Sequence, residues 1–78
     1  MSDDEEQQIK DIILGTEGVH GFHDLKTRQS GLMQFIQFHL ELKGDQSLRK
    51  AHDIGDGMEK KIMEKFPKAE VMIHHDPV

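Results

Sequence analysis

Apolar residues first recur at helical spacing. Ile9, Ile12, Ile13 and Thr16 fall on one stripe, and Gly15 or Gly18 closes the segment. The polar residues 1–8 before it form a lead-in or a first helical turn, with Asp3 and Asp4 as candidate caps suited to the positive end of a helix dipole. Val19 to Arg28 reads as a strand in which Phe22, Leu25 and Thr27 stand among polar residues, and Ser30-Gly31 supplies a turn. From Leu32 to Leu42 the alternation is clean. Ile36, Phe38, Leu40 and Leu42 share one face, and Phe35, Gln37, His39 and Glu41 share the other, because successive side chains of a strand point to opposite sides. After a Lys43-Gly44-Asp45-Gln46 loop, Asp45 or Ser47 can cap a second helix whose stripe is Ala51, Ile54, Met58, Ile62 and Phe66. Pro67 stops it. Gly55 and Gly57 weaken that helix by about 1 kcal/mol each relative to Ala. Gly55 lies near the stripe, where close approach of a strand explains it; Gly57 has no such explanation. Ala69 to His75 is a last strand, with Val71 and Ile73 on one face and Met72, His74 and Asp76 on the other.

The predicted order is α-β-β-α-β. Two helices must then cover one face of a three-stranded mixed sheet, giving an α+β two-layer sandwich with the ferredoxin-like plan lacking its first strand. The closing β-α-β unit places the last strand parallel to the second. Residues 1–8 are expected to be an acidic, flexible start and residues 9–78 a single domain.

Composition narrows what such a fold can do. A chain of 78 residues buries only about 60% of the surface its unfolded form exposes, and its core supplies only about 3–5 kcal/mol, so a disulfide, a metal or a partner is expected to reinforce it. The chain has no cysteine, which removes disulfides and thiolate metal sites alike. Its net charge is −5, and four of the acids (Asp3, Asp4, Glu5, Glu6) form one run. An acidic chain without a basic stripe is a poor partner for nucleic acid or an anionic membrane surface. It contains no long apolar run of membrane-spanning type and no signal peptide. No phosphate-binding glycine loop and no nucleophile–base pair is present, so an enzyme is the least favoured class.

Six histidines in 78 residues are the conspicuous remainder. With Ile36, Phe38, Leu40, Val71 and Ile73 facing the helices, His39, His74 and Asp76 fall on the uncovered face of the sheet. Two imidazoles and a carboxylate make a nitrogen/oxygen site suited to zinc or another first-row divalent ion. Exposed histidines are also ordinary on a polar sheet face, and the two readings weigh about equally at this point. By position alone His23, beside Asp24, reads as a surface residue. His52 reads as a half-buried residue at the border of the second helix, on the layer away from His39 and His74. His20 reads as a cation near the first helix's end, and the direction of His75 is open.

Four stretches then resemble a known family. His23-Asp24-Leu25-Lys26-Thr27-Arg28-Gln29-Ser30-Gly31 precedes Phe35-Ile36-Gln37-Phe38-His39-Leu40-Glu41; Ala51-His52 opens the second helix; and Ile73-His74-His75-Asp76-Pro77 follows at the end. From about Ile9 to Pro77 the chain resembles the C-terminal cytoplasmic domain of bacterial cation diffusion facilitators of the YiiP/FieF type, which export zinc and iron. The resemblance implies a metallochaperone-like fold, a homodimer, attachment to the transmembrane domain of the same transporter chain, and a place on the cytoplasmic side of the inner membrane, with this fragment itself soluble. It implies divalent metal, Zn²⁺ or else Fe²⁺, Cd²⁺, Mn²⁺ or Co²⁺, bound near the dimer interface by His23, His39, His52, His74 and Asp76, with Asp76 bridging. The family pattern carries Gln where this chain has His75, so His75 is a possible additional ligand reaching the partner's site.

The function so implied is metal sensing: bound dications draw two acidic domains together and regulate cation/proton antiport. Because imidazole ligates only when neutral, affinity is expected to fall as pH drops through about 6.5, the ordinary imidazole value. Two other readings stay open from sequence: a free-standing soluble histidine-based metal carrier, and a metal-independent dimerisation module.

Overall fold

The computed structural model describes residues 2–44 and 46–77. Its elements follow the predicted order: α1 (Asp3–Leu14), β1 (Val19–Ser30), β2 (Met33–Leu42), α2 (Leu48–Lys65) and β3 (Ala69–Pro77). The sheet runs β1-β2-β3, with β1 antiparallel and β3 parallel to the central β2. Both helices lie on the face of β2 that carries Ile36, Phe38, Leu40 and Leu42. These four bury against Ile9 and Ile13 of α1 and Met58 and Ile62 of α2, with Phe66 and Ala69 closing the end. Val71 and Ile73 pack on the edge of this core, as the parity of β3 requires. Among the described residues the core contains no buried polar or charged side chain. Among the described residues, no helix lies over the opposite face of the sheet.

The ends of the helices show how local chemistry sets these bounds. The acidic start, expected as a flexible lead or a first helical turn, is helical from Asp3, and Ser2 rather than Asp3 or Asp4 is the cap. The Glu5 amide donates to Ser2 Oγ at 3.2 Å, and the Ser2 amide donates back to Glu5 Oε1 at 3.1 Å, a capping box that satisfies two otherwise orphaned donors. The Ser2 backbone N–H, then its hydroxyl, hold the Glu5 carboxyl below the usual carboxylate range. The Thr27 hydroxyl donates to Glu6 Oε1 at 2.8 Å and ties this turn to β1. Ser47 caps α2 by accepting from the Lys50 amide at 3.1 Å; Asp45, the other candidate cap, lies outside the described residues. The β1–β2 loop is Gly31-Leu32, with Gly31 at φ +60°, a backbone conformation in which glycine carries no steric penalty.

β1 departs from simple alternation. His23 pairs with His39 and Lys26 with Gln37, so Asp24 and Leu25 together stand opposite Phe38. Asp24 adopts φ +53°, a left-handed conformation that Asp tolerates better than most residues. This bulge reverses the parity of the strand. Phe22, Leu25 and Thr27 all turn toward the helices although 22 and 25 differ in parity, while His23 and Lys26 both turn outward.

Candidate metal centre

Registration places the outward residues of the three strands in rows. His23, His39 and His74 form one row across β1, β2 and β3, and Gly21, Glu41 and Asp76 form the next. Each strand contributes through a different local feature. β2 presents His39 and Glu41 by plain alternation. β3 presents His74 and Asp76 because its parallel pairing keeps it in phase with β2. β1 presents His23 because the bulge follows it, so the inward residues beyond it still meet the core. The rings of His23 and His39 stack with centroids 4.9 Å apart, and those of His39 and His74 at 4.7 Å.

Asp76 leans across this row. Its Oδ2 lies 3.1 Å from His39 Nδ1 and 3.3 Å from His23 Nε2. Ligand atoms of His23, His39 and Asp76 all fall within 4.8 Å of one another. Zinc binds nitrogen and oxygen at about 2.0–2.2 Å in tetrahedral sites, so two of its ligands sit about 3.4 Å apart. The two Asp76 distances therefore match the edges of such a tetrahedron, while the nitrogens of His23 and His39 lie within 4.8 Å of each other. Two neutral nitrogens and one anionic oxygen suit zinc and its first-row neighbours. His39 and Asp76 are half-buried and His23 is exposed, which leaves the fourth position accessible to water or to another donor.

The other sequence candidates lie elsewhere. His74 stacks on His39 but is outside the close group of three. His52 is on the exposed side of α2, where its Nε2 pairs with Asp56 Oδ2 at 3.2 Å. His75 alternates to the helix side of β3, and its imidazole lies where a Cβ on Gly55 would stand, so the close approach at this glycine is made by a side chain of β3. Gly57 has nothing within 4 Å of where a Cβ would stand. His20 is exposed at the start of β1, where the register passes over it. Glu41 was missed. Its carboxylate Oε2 is 2.7 Å from His23 Nδ1. Its shared parity with His39 and Asp76 was the available signal.

The three-stranded sheet packs two helices on one face and gathers imidazoles and a carboxylate on the other, a group that could hold a metal ion. The family model described as the cytoplasmic domain of cation efflux proteins matches residues 1–78. The chain is 48% identical over 77 residues to the cation-efflux pump FieF of Escherichia fergusonii, covering 99% of this chain and 26% of that protein. FieF of Cronobacter sakazakii matches at the same identity and coverage. Among solved structures, that of CzrB, described as a zinc transporter, superposes with a TM-score of 0.92 at 30% identity, covering 100% of this chain and 98% of the other. A nickel form of the MamM CTD shares the fold, with a TM-score of 0.87 at 15% identity over 99% of both chains. The chain belongs to the cation efflux protein family, as its cytoplasmic domain. It spans about a quarter of the length of the curated relatives it matches.

Proposed function

We propose that this chain is the metal-sensing and dimerisation domain of a divalent-cation efflux transporter in the inner membrane, one that exchanges cytoplasmic metal for protons. The observation that carries the reading is the convergence of His23, His39 and Asp76, one from each strand, with ligand atoms within 4.8 Å of one another on the outward face of the sheet. The neutral imidazoles hold a dication through lone pairs, and Asp76 supplies the anionic oxygen between them. In the fuller ligand set that family resemblance implies, Asp76 would bridge two ions, and His52 and His74 would complete the shell from the same or the partner chain; His75, where the family pattern carries Gln, is an additional candidate outside that set. Their exposure in the single chain supports that assignment.

A bound dication would tie three strands together and would offset part of the net charge of a chain that carries −5. A second copy facing the same sheet surface then meets less repulsion, and the exposed Met72 beside the site offers apolar contact. Closure of the dimer tightens the metal site, and metal tightens the dimer, by the reciprocity of linked equilibria. In the intact transporter this closure biases the membrane domain toward its active arrangement. Zinc fits the donor set, as do its first-row neighbours; nickel and cadmium forms of MamM CTD variants are consistent with metal binding by this fold.

The test is titration of the chain with Zn²⁺ and Mn²⁺ while melting temperature and mass are followed. Ligand at about 100-fold its Kd stabilises by about 2.7 kcal/mol, which for a domain this small raises Tm by roughly 10 °C or more. Zinc should also drive the chain to a dimer, and Asp76→Ala should abolish both responses. A melting temperature indifferent to excess zinc in wild type and variant alike would sink the proposal. A dimer unaffected by zinc or chelator would reduce the chain to a dimerisation module.

A further inference from the structure

We infer that Glu41 is a positioning residue for His23: it holds the Nδ1 proton and so fixes Nε2 as the nitrogen that faces the metal. The inference rests on the metal-binding reading above and adds a residue to it. A neutral imidazole has one N–H and one lone pair, and only the lone pair can ligate. Glu41 Oε2 lies 2.7 Å from His23 Nδ1, the short distance of a charge-assisted hydrogen bond. An ionised carboxylate only accepts, and Glu41 at 2.7 Å is much closer to its nitrogen than Asp76 at 3.3 Å, so the single proton of the neutral ring stands on Nδ1 and the lone pair on Nε2. That second nitrogen points into the site, 3.3 Å from Asp76 Oδ2.

The backbone makes room for this arrangement. Across the β1–β2 ladder Glu41 stands opposite Gly21. A Cβ at position 21 would come within 3.3 Å of Glu41 Oε1 and 3.9 Å of its Cδ. The glycine leaves open the space that Glu41 occupies as it reaches along β1 to His23. On its other side Glu41 pairs with Asp76 of β3. Two neighbouring carboxylates thus divide the work on one imidazole, Asp76 at Nε2 and Glu41 at Nδ1. Glu41 also completes the charge balance: a dication on two neutral imidazoles and one carboxylate leaves +1, which a second carboxylate cancels. Carboxylates that orient metal-bound histidines in this way typically contribute 10–100-fold in affinity.

The experiment has two arms on this chain, wild type against Glu41→Ala and Glu41→Gln. Long-range ¹H–¹⁵N correlation spectra of the histidine rings, recorded metal-free at mildly alkaline pH, report the tautomer. His23 should be in the Nδ1–H form in wild type and shift toward the Nε2–H form in Glu41→Ala. Zinc isotherms should show affinity falling by about 10–100-fold in Glu41→Ala, with Glu41→Gln, which keeps an acceptor but loses the charge, in between. The metal-free melting temperature should change little in either variant, which separates positioning from a structural role. In the zinc complex Nδ1 should keep its proton while Nε2 carries the metal-bound shift. An Nε2–H tautomer in metal-free wild type, metal on Nδ1, or undiminished affinity in Glu41→Ala would each overturn the inference. A wild type that binds no zinc would overturn the site reading itself, which the tautomer spectrum does not depend on.

Discussion

The two faces of β2 are built from the same strand, one residue out of step, and do different work. Ile36, Phe38, Leu40 and Leu42 are between 0% and 4% exposed and hold both helices. Phe35, Gln37, His39 and Glu41 remain half-buried on a face with no covering layer. The lesson is a separation of stability from chemistry by parity alone: the inner set can be damaged only at the expense of the fold, the outer set with little effect on it. A one-residue slip of register would exchange the two sets, so the core also guards the site.

The largest effect should come from breaking the inner face. Phe38→Ala removes a fully buried ring at the centre of the core, and such changes cost about 3–5 kcal/mol, comparable to the whole stability expected of a core this small. Urea unfolding should find the variant largely unfolded without metal, with partial recovery in excess zinc. His39→Ala, one residue away, should shift metal-free stability by no more than about 1 kcal/mol while removing the zinc-induced gain of about 2.7 kcal/mol at 100-fold Kd. Equal losses of metal-free stability in the two variants would end the division between the faces.

How much of this was legible in sequence follows the same division. The inner face of β2 announced itself because four apolar residues alternate without interruption, and the outward direction of His39, His74 and Asp76 followed from that parity. β1 was not legible in the same way. Its inward residues Phe22, Leu25 and Thr27 break a period of two, and only the paired register shows that a bulge at Asp24 absorbs the extra residue. His23 therefore read as a surface residue by position, and family resemblance was what raised it. Glu41 stayed hidden because a glutamate on an open face has many uses, and its value depends on Gly21 across the ladder. The cap at Ser2 was passed over for the acids beside it, since charge suggested Asp3 and Asp4 while hydrogen-bond geometry selects Ser2.

The bulge gives a sharper way to perturb the outer face without touching a ligand. Asp24 at φ +53° is a position where a β-branched residue is strained by roughly 1–2 kcal/mol. Asp24→Val should lose about that much in thermal unfolding and should also weaken zinc binding, because relaxing the bulge turns His23 away from its row. Asp24→Gly should keep both stability and affinity. Tight zinc binding in Asp24→Val would show that His23 reaches the site without the bulge.

The smallest test moves the comparison to α2, whose two faces are marked by two glycines. Gly57 is exposed with open space around it, so Gly57→Ala should stabilise the chain by about 1 kcal/mol through helix propensity alone. Gly55→Ala brings the same propensity gain, but its Cβ would run into the His75 imidazole. His75 is itself exposed, so its ring can swing away at modest cost, and the net change should be near zero rather than strongly unfavourable. The double variant Gly55→Ala/His75→Ala removes the obstacle and should recover the gain seen at Gly57. That non-additivity, read from a double-mutant cycle of melting curves, isolates the contact between β3 and α2. If Gly55→Ala alone stabilised as much as Gly57→Ala, the His75 ring would not be resting on the helix, and it would be free to serve the outer face instead.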